Sequence, residues 1–175
     1  MLIGFYSVKI GKRQPHGTRF LLFLVLLLLL TKAAKAQVPA ALVGRWALKQ
    51  ITFEARRPLP DSLQAKLFYS PAGETNAAVK EGSLTVEVEF RADGTYDYEM
   101  ARQNQKEPFY AEHGRFEVKN GRLFSYGTTD DHSEPTLDKQ TIVRLTRNVL
   151  QVEFPIWRPE QQVFQQIRYV RVSGR

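Results

Sequence analysis

From Leu84 to Phe90 the chain alternates without a fault. Leu84, Val86, Val88 and Phe90 are apolar, and Thr85, Glu87 and Glu89 between them are polar. The same period resumes after Asp93-Gly94, where Tyr96, Tyr98 and Met100 alternate with Thr95, Asp97 and Glu99. Successive side chains of a strand point to opposite faces, so a period of two gives one dry face and one wet face. On a helix the same spacing would scatter the apolar residues around the axis and leave no single face to bury. Asp-Gly between two such runs is a tight-turn signal. The stretch therefore predicts a β-hairpin whose dry face must find a core.

Similar ribbons flank the hairpin on both sides. Arg45 to Phe53 is strand-favouring, and its apolar parity slips between Leu48 and Ile51, which predicts a bulge there. Downstream, Phe109 to Lys119 is a strand with Phe116 and Val118 on one face, and Asn120-Gly121 turns it into Arg122 to Gly127. Thr128 to Pro135 reads as an acidic polar loop, followed by a strand from about Lys139 to Thr146. Arg147-Asn148 turns again, Val149 to Trp157 keeps Leu150, Val152, Phe154 and Ile156 in step, and Gln162 to Val172 is the last ribbon. These are eight strands with no crossover helix between them, and parallel pairing needs such crossovers. An antiparallel meander keeps two exposed edges unless first meets last, so closure into a barrel is the expected remedy. The expected fold class is all-β: an eight-stranded antiparallel up-and-down barrel whose long first inter-strand connection carries a short helix. In that connection Pro58 and Pro60 end the first strand, and Asp61-Ser62 opens a helical turn or two through Tyr69. Leu63, Leu67 and Phe68 then fall on one side, and residues 70 to 83, rich in Gly, Ala, Pro and polar side chains, read as loop.

The front of the chain is different. Residues 1 to 19 carry Lys9, Lys12, Arg13 and Arg19 and no acid, Phe20 to Leu30 is an unbroken apolar run of eleven, and Ala34-Lys35-Ala36 offers small residues for cleavage before Gln37. This is the layout of a secretory signal peptide, and its apolar run is shorter than the ~20 residues a spanning helix needs. Residues 1–36 are thus expected to be a signal peptide and 37–175 the barrel domain, placing the protein outside the cytoplasm, secreted or periplasmic, with no stable transmembrane span once the leader is cut. The formal charge of +7 belongs mostly to the leader. Six of the 25 Lys and Arg precede Gln37, leaving 19 against 18 Asp and Glu in the remainder. A near-neutral domain whose aromatics alternate with acids on its second to fourth strands gives no footing for nucleic acid. The chain has no cysteine, which excludes disulfides, thiolate metal sites and a cysteine nucleophile.

With these features in place the chain resembles the lipocalins, and more closely the exported bacterial lipocalin-like domains of the calycin group. Gly44-Arg45-Trp46 matches the Gly-x-Trp at the start of the family's first strand, and the strand meander, the long first connection and a late arginine match as well. The resemblance implies that Gly44, Trp46 and Arg171 form a closed-end motif, with the Arg171 cation packed over the indole. It further implies a lid-like first connection and a small hydrophobic ligand or lipid in the barrel. The turn at Thr146-Arg147-Asn148 lacks the second motif of the animal lipocalins.

Parity assigns Val86, Val88, Phe90, Tyr96, Tyr98, Phe116, Val152, Phe154 and Tyr169 to the ligand-facing interior, with Leu84, Met100, Val118, Leu150, Val163 and Ile167 beside them. Such a lining is apolar with a few phenols, suited to a greasy ligand or, equally, to a filled core. No metal site or cofactor is expected. Asp130, Asp131, His132 and Glu134 match no standard metal spacing and read as a solvated loop. Ser125 with His113 lacks any nucleophile elbow, and Glu87, Glu89, Asp97 and Glu99 face outward. The expected function is a monomeric, non-catalytic exported carrier of a small hydrophobic molecule or lipid. The alternative is a cell-envelope interaction module with a solid barrel, contacting a protein through its first loop or Phe154, Ile156 and Trp157. An enzyme would be marked by an inward polar residue with a displaced titration, and the alternation offers no strong candidate.

Overall fold

A computed structural model describes residues 38–129, 135–156 and 162–173. The expected leader (1–36), the acidic loop residues 130–134 and Trp157 lie outside the described residues. Eight antiparallel strands run β1 (Gly44–Ala55), β2 (Leu84–Phe90), β3 (Thr95–Arg102), β4 (Tyr110–Lys119), β5 (Arg122–Thr129), β6 (Thr136–Leu145), β7 (Val149–Ile156) and β8 (Val163–Arg171). Each pairs with the next, and β1 pairs with β8, so the sheet closes into an up-and-down barrel. The alternation in β2 and β3 produces what it predicts: Val86, Val88, Phe90 and Tyr96 are buried, while Glu89 and Glu99 are exposed. On the outer face Arg45 pairs with Glu87, and Arg91 with Asp97.

The bulge expected between Leu48 and Ile51 is present as a register shift in the β1–β8 ladder between Leu48 and Gln50. It keeps Trp46 and Leu48 inside before the slip and Ile51 inside after it. It also marks where β1 leaves its other neighbour. Only Gly44 to Ala47 pair with β2, whereas pairing with β8 continues to Ala55.

That departure would leave a seam, and a helix fills it. The connection between β1 and β2 holds α1 (Asp61–Phe68) and α2 (Pro71–Glu81), and α2 packs against both β1 and β2. The reading of residues 70 to 83 as loop is therefore corrected to helix. Its ends are well specified: the Ser70 side chain accepts from the Gly73 amide, Pro71 opens the first turn, and Gly82 closes the last at φ 77°. What the sequence conceals is the buried stripe. Ala72 and Val79 pack on the core with Asn76 between them on the same face, and no residue of α2 is fully buried. Asn76 interrupts the apolar periodicity for a reason: its Oδ1 accepts the Ile51 amide at 2.8 Å, satisfying a ladder donor that β2 no longer reaches.

The end of the barrel where β1 begins is sealed. Trp46 and Leu42 are fully buried, and the indole N–H donates to the Leu42 carbonyl at 2.8 Å. The Arg171 guanidinium lies 4.2 Å from the Trp46 ring centroid and donates to the carbonyls of Ala41, Val43 and Arg147. Gly44 sits at φ 128°, a conformation side chains rarely adopt, and a Cβ there would run into Arg171.

Candidate ligand cavity in the barrel

Above the stopper the interior is not filled. A cavity of about 420 Å³ occupies the lumen, with walls from every strand but β1. Six of the nine expected ligand-facing residues line it: Val88, Phe90, Tyr96, Tyr98, Phe154 and Tyr169. The other three, Val86, Phe116 and Val152, are buried in the packed core instead. Phe116 meets Phe90 edge to face at 4.8 Å between centroids, so the floor of the chamber is aromatic.

The expectation of an almost wholly apolar lining needs correction. Tyr110, Glu112, Ser125, Asp138 and Gln140 also line the cavity, all from β4, β5 and β6, and Lys139 of β6 borders it. Their position follows from the parity that placed Phe116. Stepping back by twos from Phe116 gives Gly114 and Glu112, and the β4–β5 and β5–β6 registers then put Ser125 and Asp138 on the same side. The sequence signal was there, but these strands carry polar or glycine residues at inward positions and so show no hydrophobic alternation. His113 is exposed on the opposite face from Ser125, so no triad is assembled.

Glu112 is the one buried charged residue among those described, at 8% exposure. Tyr96 donates to its Oε1 and Tyr110 to its Oε2, the latter at 3.0 Å. Gly127, inward on β5, makes this possible, since a Cβ there would collide with both the Glu112 carboxylate and the Tyr96 hydroxyl. Burial and the Glu112 carboxylate hold the Tyr96 hydroxyl far above the ordinary phenol range. Burial does the same for Tyr169 and pushes Tyr98 up to about 12, so these phenols remain donors at any physiological pH.

Asp138 stands apart from this network. It keeps exposed surface because the lumen opens beside it, yet partial burial and the neighbouring Glu112 charge raise its carboxyl above the ordinary aspartate range. No hydrogen bond or ion pair to it is found among the described residues, and Lys139 beside it carries its ammonium to the Phe124 ring, 5.7 Å from the centroid. Phe124 and Lys139 are register partners on the outer face. The chamber thus holds two carboxylates and at least four phenols, and the one cationic residue among the described lining, Lys139, directs its ammonium to the Phe124 ring.

A second, wider recess lies between the helices and β1. About 880 Å³ in volume, it has Ile51, Phe53, Leu67 and Phe68 in its walls and Arg56, Arg57 and Lys80 at hand. Arg56 is engaged elsewhere, stacked on Phe164 at 3.9 Å and paired with Glu153. Among the described residues no group of three metal-ligating side chains occurs, and no helix is long and apolar enough to cross a membrane. Comparison with known proteins finds no matching family model, no matching curated protein and no matching solved structure.

Proposed function

We propose that this protein is an exported, non-catalytic, lipocalin-like carrier that holds a small, largely hydrophobic molecule in its barrel. The observation that carries this reading is the chamber itself. Its volume of about 420 Å³ falls within the roughly 300 to 1,000 Å³ usual for small-molecule sites. A core under no demand but stability closes such space, because each unfilled void forfeits packing contacts. Glu112 and Gly127 support the same reading. A buried carboxylate costs stability unless it is satisfied, and here two phenols and a glycine are committed to satisfying it in the wall of a cavity.

A catalytic role has less support. Glu112 is held by two donors, and Ser125, the register partner of Asp138, has no histidine on its side of the sheet among the described residues. The carrier reading is tested by native mass spectrometry of the purified protein, followed by organic extraction. The expected result is a retained small molecule, displaced when Leu123 or Val88 is enlarged to Phe. A ligand-free protein whose lumen excludes every apolar probe would contradict it.

A further inference from the structure

We infer that the ligand is a cation: a small amine or ammonium compound whose charged end lies between Asp138 and Glu112 and whose apolar body lies against the aromatic floor of the chamber. This deepens the carrier reading and rests on it. The wall of the chamber is divided by chemistry. β2, β3, β7 and β8 contribute Val88, Phe90, Leu150, Phe154, Ile167 and the rings of Tyr98 and Tyr169, while β4 to β6 contribute the carboxylates, with Lys139 in the β6 wall turning its ammonium to Phe124. A molecule filling this space meets apolar surface on one side and negative charge on the other.

The two carboxylates are prepared differently. Glu112 receives hydrogen bonds from Tyr96 and Tyr110, which hold it in one place and leave it acceptor-only toward the lumen. Asp138 has neither donor nor counter-ion among the described residues, and two like charges facing one lumen oppose each other. A neutral ligand would leave that repulsion in place, and an anionic one would increase it. An ammonium relieves it and gains charge-assisted hydrogen bonds to both. The surrounding rings add to the selection, since Tyr98 and Tyr110 meet edge to face at 6.0 Å beside Glu112 and present electron-rich faces that attract cations. The groups facing Asp138 across the lumen are Glu112 from β4, Tyr96 and Tyr98 from β3 and Tyr169 from β8, and none of them carries positive charge. The adjacent Lys139 ammonium is turned to the outer ring of Phe124.

The experiment compares three probes of one shape by isothermal titration calorimetry at neutral pH: 2-phenylethylammonium, 2-phenylethanol and 3-phenylpropanoate. Each is titrated into the wild-type protein, Asp138→Asn and Glu112→Gln. The inference expects the ammonium to bind tightest and the carboxylate weakest. It also expects Asp138→Asn to weaken the ammonium at least about tenfold while leaving the alcohol unchanged, as loss of a charge-assisted contact requires. Because Asp138 is at the open part of the lumen, its variant folds even if Glu112→Gln does not. Ammonium affinity should also fall as the pH is lowered and Asp138 takes up a proton, with the alcohol unaffected. If the alcohol binds as well as the ammonium and Asp138→Asn alters neither, the cation assignment is overturned and the carrier reading survives. If none of the three binds, the cation assignment is overturned, and the carrier reading is decided separately by native mass spectrometry and extraction of the purified protein.

Discussion

The barrel sets charged side chains at two places, and the two are built to opposite rules. At the sealed end Arg171 has all it needs: an indole face beneath it and three backbone carbonyls around it. In the chamber Asp138 has nothing comparable, although Glu112 nearby is satisfied twice over. A charged side chain that is fully partnered by its own chain has no capacity left for a ligand, and it serves stability. A charged side chain left facing a cavity costs the fold something and stays available. The contrast separates stopper from site without appeal to position alone.

Removing the stopper should have the largest effect. Trp46→Ala deletes a fully buried aromatic, and its destabilisation in urea unfolding should be about 3 to 5 kcal/mol. A loss below about 0.5 kcal/mol, typical of a surface site, would break the comparison at its first term. Gly127→Ala comes next. Its methyl group would enter the space of the Tyr96–Glu112 pair, and overpacking of this kind should cost about 2 to 3 kcal/mol, with the two phenols released in ultraviolet difference spectra. Arg171→Met keeps much of the stem but leaves the carbonyls without their donor. It should cost about 1 to 2 kcal/mol by thermal denaturation, less than a deep site because two of the three bonds are exposed.

The smallest effect has the opposite sign. The folded protein holds the Asp138 proton more tightly than the unfolded chain does, since its carboxyl is raised above the ordinary value. Folding therefore loses free energy as the pH rises through that raised value, and nothing is lost below the unfolded value of about 3.9. Asp138→Asn should raise the melting temperature at pH 7 by an amount worth less than about 1 kcal/mol, discounted for the solvent that reaches the carboxyl. The gain should vanish as the pH falls toward 4. A destabilised Asn variant at pH 7 would mean that Asp138 has a partner after all.

Much of this architecture was legible because most strands announce themselves through apolar parity. Leu84 to Met100 predicts a hairpin and the slip at Leu48 to Ile51 a bulge, while the stopper of Gly44, Trp46 and Arg171 is what the lipocalin resemblance implies. The rest was hidden by the same physics that makes the site. An inward strand position normally holds an apolar residue, so the alternation is easily read. Where the chamber needs Glu112, Ser125, Gly127 and Asp138, the alternation breaks down and the inward face looks like any polar stretch. Helix α2 was obscured in a similar way. Asn76 in the middle of its buried stripe is there to satisfy the Ile51 amide, and it removes the periodicity by which an amphipathic helix is recognised.

The most direct test of the account is the titration of the Asp138 carboxyl, followed by carbon-13 NMR in the free protein and with 2-phenylethylammonium. The account predicts a free-protein pKa above the ordinary aspartate value, falling when the ammonium binds and supplies the missing counter-charge. A carboxyl that titrates at or below the ordinary value in the free protein, and does not move when the amine is added, would contradict it.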